Sequence, residues 1–447
     1  MKKSLSLFVF SLAVGSLSAQ DFDVKYSNGL RVNSTDGDTK FKLKMKIQNF
    51  ISKSLMHSTL VALLIVFSTG AGSAQGIVDN TFGKGIKYVP VDESFSVRFH
   101  YRMQQLTQIG FDEATGDVAG NFMVRRSRLK FDGHAYSDKL KYKVELGLTS
   151  RDISTNKEDG NTGGSSRIIL DAVLKYQFSS HWSVWVGQTK LPGNRERVIS
   201  SANLQFVDRS NVNSKFNIDR DAGFQLRGKY AFGTFRIHPS VAITKGEGRD
   251  ISSSNFGGLN YTGHVDVLPL GKFTGKGDYI GGAIHREEKP KISFGFTYNL
   301  NQGAVRQQGQ LGSFVSDSLG DYVENDLTAI MADMMFKYRG WSLMSEYAYT
   351  VGNNSSADVS KGFNTGNGFS IQAGYMFKNN YELATRYTTV RNDGSLSGIK
   401  DQDEITLGFS KYIVGHSLKI QSDIARVTTP GSSDGDLRFR LQVEMQF

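Results

Sequence analysis

From about residue 94 to its end the chain repeats one theme. Segments of roughly ten residues alternate apolar and polar side chains, separated by Gly, Asn, Asp and Ser turns. Successive side chains of a strand point to opposite faces, so each segment is a strand with one apolar and one polar face. The last is the clearest. In LRFRLQVEMQF, Leu437, Phe439, Leu441, Val443, Met445 and Phe447 share one face, and Arg438, Arg440, Gln442, Glu444 and Gln446 share the other. The same dyad runs through FSVRFHYR (95–102), LKYKVELGL (140–148), IILDAVLKYQF (168–178), FRIHPSVAI (235–243), ISFGFTY (292–298), WSLMSEYAY (341–349), FSIQAGYMF (369–377), YELATRY (381–387) and LKIQSDI (418–424). Sixteen such segments start near 94, 121, 140, 167, 181, 221, 234, 262, 289, 326, 340, 367, 380, 402, 415 and 436, and helical periodicity is nowhere sustained.

Alternation of this kind also suits a soluble sandwich or propeller. Two features point instead to an all-β transmembrane antiparallel β-barrel of about sixteen strands, spanning 94–447. The apolar face carries aromatics at strand ends (Tyr176, Phe178, Trp182, Tyr298, Trp341, Tyr349, Phe377, Tyr381), as interfacial girdles do. Tight turns, such as Phe178–His181 and Lys378–Asn380, alternate with long polar connections such as 151–166 and 300–325, the rhythm of short periplasmic turns and long external loops. Lipid offers no partner to an open sheet edge, so the sheet must close. Sixteen strands enclose an aqueous lumen rather than a packed core.

That lumen explains FMVRRSRLKF (122–131), where four basic residues fall within one strand. With Leu129 and Phe131 facing lipid, Arg126, Arg128 and Lys130 face inward. Arg125 falls on the lipid-side parity, which puts it near an interface or at a bulge. Arg98 and Arg102, Lys141 and Lys143, Arg227 and Lys229, and Arg236 and His238 extend the inward stripe on other strands. Basic rings select anions in pores, and guanidinium forks suit oxyanions. The competing reading is a balanced lumen, in which Asp132, Glu145 and Asp171 neutralise part of the stripe. Residues 190–220 interrupt the alternation, and a loop that long is usually functional. This third loop, carrying Lys190, Arg195, Arg197, Arg209, Lys215 and Arg220 against Glu196, Asp208 and Asp219, is expected to fold into the lumen and narrow it.

Composition refines the picture at the amino terminus. MKKSLSLFVFSLAVGSLSAQ (1–20) has the basic start, apolar stretch and small-residue exit of a secretory signal. Residues 45–75 form a second signal-like segment ending in the same Ser-Ala-Gln. Between them, 21–44 resembles a first strand: GLRVNSTDGDTKFKLKMKIQ (29–48) aligns without gaps on GIKYVPVDESFSVRFHYRMQ (85–104). A duplicated or fused opening, or a misassigned start, accounts for this, and 76–93 is then an amino-terminal extension of the barrel. Residues 1–75 hold nine of the 53 Lys+Arg and four of the 43 Asp+Glu, so the rest of the chain carries +5 rather than +10. That small excess is no nucleic-acid footprint. There is no cysteine, and no apolar run reaches the roughly 20 residues of a transmembrane helix.

Two stretches carry a family resemblance: VRRSRLKFDG (124–133) and VGQTKLPGNRERVISSANLQFVDRSNVNSKFNIDRDAGFQL (186–226). They resemble the phosphate-selective porins O and P in an Arg-Arg-x-Arg-Leu strand, a Gly-Gln-x-Lys-x-Pro lead into the third loop, a Ser-Ser step and an Arg-Asp-x-Gly re-entry. The resemblance runs from about 94 to 447. It implies a homotrimeric, sixteen-stranded porin in the outer membrane of a Gram-negative bacterium, set in outer-membrane lipid and passing small anions such as phosphate past an arginine ladder. By position, Arg125 and Arg126 match the paired strand arginines that look toward the family's anion site, which a bulge would reconcile with the alternation. Asp171 matches the family's lumen acid, and Arg197 stands where the loop offers a lysine before Ser-Ser. Phosphate-specific members place a lysine after Ser201, whereas this chain has Ala202. A non-selective general porin is the nearest alternative, and a barrel enzyme or a scaffold barrel are alternatives of other classes. No nucleophile elbow, P-loop or metal-spaced His cluster is present, so no catalytic residue, metal or cofactor is expected.

Overall fold

The computed structural model describes residues 22–26, 30–34, 40–43, 77–79, 81–153, 167–250, 257–353, 362–394 and 397–447. Both signal-like segments and most of 151–166 lie outside them. The chain divides into two units, Met1–Gly76 and Ile77–Phe447.

In the second unit sixteen strands form one closed antiparallel barrel. They are β1 (Val97–Asp112), β2 (Val118–Ala135), β3 (Ser137–Gly147), β4 (Ile169–Tyr176), β5 (Trp182–Lys190), β6 (Arg220–Gly228), β7 (Phe235–Thr244) and β8 (Asn260–Leu268). The other half is β9 (Lys291–Ala304), β10 (Asn325–Tyr338), β11 (Trp341–Gly352), β12 (Gly366–Met376), β13 (Tyr381–Asn392), β14 (Gln402–Val414), β15 (Leu418–Thr428) and β16 (Gly435–Gln446). Each alternating segment read from the sequence is one of these strands. β16 closes the ring on β1, from Asp436↔Asp112 to Gln446↔Arg102. Phe447 then exchanges both backbone hydrogen bonds with Tyr101, at 2.9 and 3.0 Å.

Burial is inverted relative to a water-soluble protein. Along β14, Ile405, Leu407 and Phe409 are 58, 57 and 48 % exposed, while Glu404, Thr406 and Ser410 are 1, 0 and 4 %. In water such a surface would be strongly unfavourable, since contiguous exposed apolar area is rare on soluble monomers. In a bilayer it is the favourable face. The barrel therefore spans a membrane, polar side inward.

The inward face is not polar throughout. Leu191, Val212, Phe216 and Ile218 of the connection between β5 and β6 pack on Ala242, Ala329, Met331, Ala348 and Val390, which point inward from β7, β10, β11 and β13. Ile199 and Leu204 do the same with Leu268, Phe273, Met335 and Met344. The expected long connection at 300–325 is shorter than the polar composition suggested, because β9 continues to Ala304. The rhythm of short and long connections also fails at 113–117, which is short at the long-loop end, and at 269–290. Residues 269–290, between β8 and β9, belong to the short-turn end, yet they turn back among inward-facing groups. The Tyr279 hydroxyl donates to Asp266 at 2.5 Å, Gly281 N–H to the Asn203 carbonyl at 2.6 Å and Lys337 Nζ to the Ile280 carbonyl at 2.6 Å.

Before β1, strands Ile77–Asp79 and Ile86–Val89 form a hairpin whose second strand pairs with β1: Ile86↔Phe99, Lys87↔Arg98 and Tyr88↔Val97. The first unit holds a three-stranded sheet of Phe22–Tyr26, Leu30–Ser34 and Lys40–Leu43. Its pairs Leu30↔Leu43, Arg31↔Lys42 and Val32↔Phe41 are the same pairs under the ungapped alignment of 29–48 with 85–104.

The inverted burial makes a testable statement. On a soluble surface Leu407→Arg would change stability by no more than about 0.5 kcal/mol. On a lipid-facing wall near mid-height it should cost about 2–4 kcal/mol. Equilibrium urea unfolding of the protein in lipid vesicles measures the difference, and a change within 0.5 kcal/mol contradicts the orientation.

Candidate functional site

The basic strand resolves first. β1 and β2 pair regularly from Arg98↔Asp132 to Gln104↔Arg126, then resume at Gln105↔Val124, leaving Arg125 as the extra residue of a bulge. A bulge re-aims side chains, and here it lets two successive arginines point inward. Both reach one carboxylate: Arg125 Nη2 and Arg126 Nη2 each donate to Asp208 Oδ1 at 3.0 Å. Arg126 Nη1 also donates to Gln104 Oε1 at 2.7 Å.

Asp208 belongs to the connection 191–219, which touches inward-facing side chains around most of the ring. Ser201 Oγ accepts from Arg102 (2.9 Å) on β1, and Gln205 Oε1 from Gln372 (2.8 Å) on β12. The Ala202 carbonyl accepts from Lys419 (2.8 Å) and the Val207 N–H donates to Asp423 (3.2 Å), both on β15. Arg195 is the tightest anchor. Its Nε meets Asp333 at 2.6 Å, and its Nη2 meets Asp266 at 2.7 Å and Ser293 Oγ at 2.9 Å. Its Nη1 donates to the Asp278 carbonyl of 269–290 at 3.1 Å. Glu346 accepts from the Glu196 backbone N–H.

Ion pairs continue along the wall. Arg128 meets Glu145 (3.2 Å) and Asp152 (2.9 Å), and Lys143 meets Glu145 and Asp171 (2.8 Å each). Arg220 meets Asp171 (3.1 Å), and Arg197 Nε meets Asp219 (2.7 Å). Lys190 and Arg209 are held by carbonyls instead: Lys190 Nζ by those of Arg197, Val198 and Ile199, and Arg209 by those of Glu196 and Ile199.

Together these groups surround an open recess of about 460 Å³ between the loop and strands β2 to β6. Its lining includes twelve Lys and Arg against four Asp and Glu. Of the residues singled out from the sequence, Arg125, Arg126, Arg128, Asp171, Arg197, Arg209, Arg220 and Arg227 line it. Five others do not. Arg98 and Lys130 sit nearer the short-turn end, where Lys130 pairs with Asp132 at 3.2 Å. Arg102 is held between Ser201 and Glu444. Arg195 is 1 % exposed and serves as an anchor, because a guanidinium committed to two carboxylates has no free fork for a solute. Lys215 ends the short helix Asn211–Lys215, away from the recess. Sequence reasoning missed Lys175 and Trp185, although each lies on the inward parity of its strand. It also missed Arg151 and Arg249, whose loops give no periodic signal. Beside Ala202 the nearby ammonium belongs to Lys419, which donates to the Ala202 carbonyl and which Glu444 neutralises at 3.3 Å.

Electrostatics in the loop follow from this pairing. Burial pushes the Asp208 carboxyl up, but Arg126 and Arg125 outweigh it and hold the group well below the usual carboxylate range. Burial likewise opposes Arg197 and Arg220 at Asp219, and again the guanidiniums prevail. At Arg195, burial alone would depress the pKa, while Asp333 and Asp266 raise it above the ordinary arginine value.

A profile of the phosphate-selective porin O and P family matches residues 95–447. An uncharacterised protein of Aquifex aeolicus (strain VF5) is 22 % identical over 355 residues, covering 73 % of this chain and 80 % of that protein. Among solved structures, the Vibrio cholerae outer membrane protein OmpT in its trimer form is 13 % identical, with a TM-score of 0.47, covering 79 % of this chain and 100 % of that one. An anion-selective porin from Comamonas acidovorans has the same identity, score and coverage. The outer membrane channel DcaP of Acinetobacter baumannii is 16 % identical, with a TM-score of 0.47, covering 79 % and 98 %.

Two expectations follow. Arg195→Ala strands two buried carboxylates, and removing one member of a buried pair costs about 3–5 kcal/mol. The loop should loosen, so single-channel conductance and current noise rise and the folded form converts to the unfolded one at lower temperature. Unchanged values on both counts rule out the anchor. Second, the depressed carboxyls of Asp208 and Asp219 contribute stability that is fully present above the unfolded value of about 3.9 and is lost as pH falls through their folded values. Both carboxyls should therefore stay ionised from pH 8 to pH 5, read as pH-independent carboxylate infrared bands that Asp208→Asn and Asp219→Asn remove, and titration of either band inside that window contradicts the assignment.

Proposed function

The chain belongs to the phosphate-selective porin O and P family, and on that footing we propose that this outer-membrane porin passes small hydrophilic solutes by diffusion with a preference for anions such as phosphate. The observation that carries the preference is the recess, with its twelve cationic and four anionic side chains. The third loop is the constriction in this reading, supported by its hydrogen bonds to inward-facing residues of β1, β12 and β15. A solute on this side passes between loop and wall within reach of many donors. An excess of one charge sign in a narrow, low-dielectric passage raises the local concentration of the opposite ion. The family resemblance also supports a homotrimer.

A second reading has a specific observation behind it. Arg125, Arg126, Arg128, Arg197 and Arg220 are each within 3.3 Å of a carboxylate, so much of the ladder is neutralised in place. If the compensation is complete, the channel is a general porin.

Reversal potentials across a KCl gradient in planar bilayers separate the two. The anion preference should be largest near 0.1 M salt, where the Debye length is about 10 Å, and shrink at 1 M, where it is about 3 Å. Inorganic phosphate should reduce chloride current. A permeability ratio near one at both concentrations leaves the general porin.

A further inference from the structure

Within the recess, we propose that the oxyanion contact is made by Lys175 and Arg227, both set against the Trp185 indole, rather than by the arginines of the recognisable motif. This rests on the anion-preferring reading above and assigns it to particular residues.

Lys175 and Trp185 face each other directly across β4 and β5. Lys175 Nζ lies 3.8 Å from the indole centroid and the Arg227 guanidinium carbon 4.1 Å from it, both within cation–π range. The indole is itself fixed, its Nε1–H donating to Ser183 Oγ at 3.1 Å. All three side chains line the recess. Among the described residues Lys175 has no carboxylate partner, and Arg227 meets only neutral oxygens, the Gln225 amide and the Lys190 carbonyl. The acid nearest along β4 is Asp171, four residues away on the same face. It is already held by Lys143 (2.8 Å), Arg220 (3.1 Å) and Thr189 (2.8 Å).

A guanidinium clasped by a carboxylate offers a passing anion little net charge, and the anion must displace the carboxylate to use the donor fork. An unpaired ammonium and guanidinium less than a nanometre apart offer two charges and free N–H donors. Half-buried cations without counterions are costly to keep, and a site for a negative solute accounts for them. The aromatic face supplies the partial compensation that holds both cations in place when no solute is bound.

Neutralising a paired arginine would release its carboxylate, so the comparison uses charge-balanced variants. Lys175→Met keeps the side-chain stem on the indole and removes the charge. Arg126→Gln combined with Asp208→Asn removes one charge of each sign from the motif. In bilayers at low salt, Lys175→Met and Arg227→Met should each lower the anion/cation permeability ratio roughly threefold, as loss of an unscreened lumen charge implies. Each should also raise the inorganic phosphate concentration that half-inhibits chloride current. The double variant should change both quantities by less than either single substitution does. Heat-modified gel mobility checks that each barrel folds. If the double variant loses as much as Lys175→Met, or if Lys175→Met and Arg227→Met change neither quantity while wild type prefers anions, the assignment is overturned. A wild-type channel without anion preference overturns the parent reading first, and shows it before any variant is made.

Discussion

Backbone amides in hydrocarbon have no water to turn to, and the rest of this molecule depends on that constraint. Each unpaired N–H or C=O there costs several kcal/mol, so β16 must return to β1, and Phe447 completes the pairing on Tyr101. Closure decides everything about the inward face. Once the sheet is a ring, the polar side chains of sixteen strands converge on one space, and lipid takes the apolar ones. Charges that would be solvated singly on an open sheet become neighbours and acquire partners across strands, as in Arg440–Asp423 (2.6 Å) and Arg438–Glu404 (3.0 Å).

Filling the ring then changes the medium those charges sit in. Loop side chains such as Phe216, Ile199 and Leu204 exclude water from the β7–β13 side, where the wall answers with Met331, Met335 and Met344. A charge left there must be fully satisfied, which is why Arg195 meets two carboxylates and a hydroxyl. The 269–290 segment adds its own carbonyl to the same guanidinium from the opposite end of the barrel. An open recess remains against β2–β6, and a second of about 410 Å³ against β1, β2 and β14–β16. Where space remains open is thus set by which strands the loop packs on and not only by where the cations are.

The strands were legible because their signal is local: a period of two needs no knowledge of partners, and it placed even the weak segment near 262, now β8. The bulge was legible as a contradiction between Arg125's parity and its expected direction. Charge pairing was not, since Asp208 is 83 residues from Arg125 and nothing local joins them. One available signal went unread. DLTAIMADMMFKY in β10 is apolar on both faces, with Leu327, Ala329, Met331 and Met335 facing inward, which is wrong for a watery lumen and right for a wall that a loop covers. The 269–290 connection, which lacks alternation, gave no hint of direction.

Net charge misdescribes this lumen in an instructive way. Beyond residue 75 the chain carries +5, while the lining of the recess alone carries +8 from its twelve cations and four anions. The remainder of that portion is therefore net negative, by three charges. The positive potential comes from sorting charges, not from accumulating them. Sorting matters more than totals because field lines concentrate where low-dielectric walls surround one sign of charge. Pairing then subtracts from the sorted excess residue by residue. The motif arginines, which sit beside the motif's own acids across the β-sheet and loop, are the most thoroughly cancelled. Cations set against an indole or a carbonyl have no carboxylate to cancel them. In the reading proposed above, the family motif marks where an anion path runs while its unmatched neighbours supply the field along it.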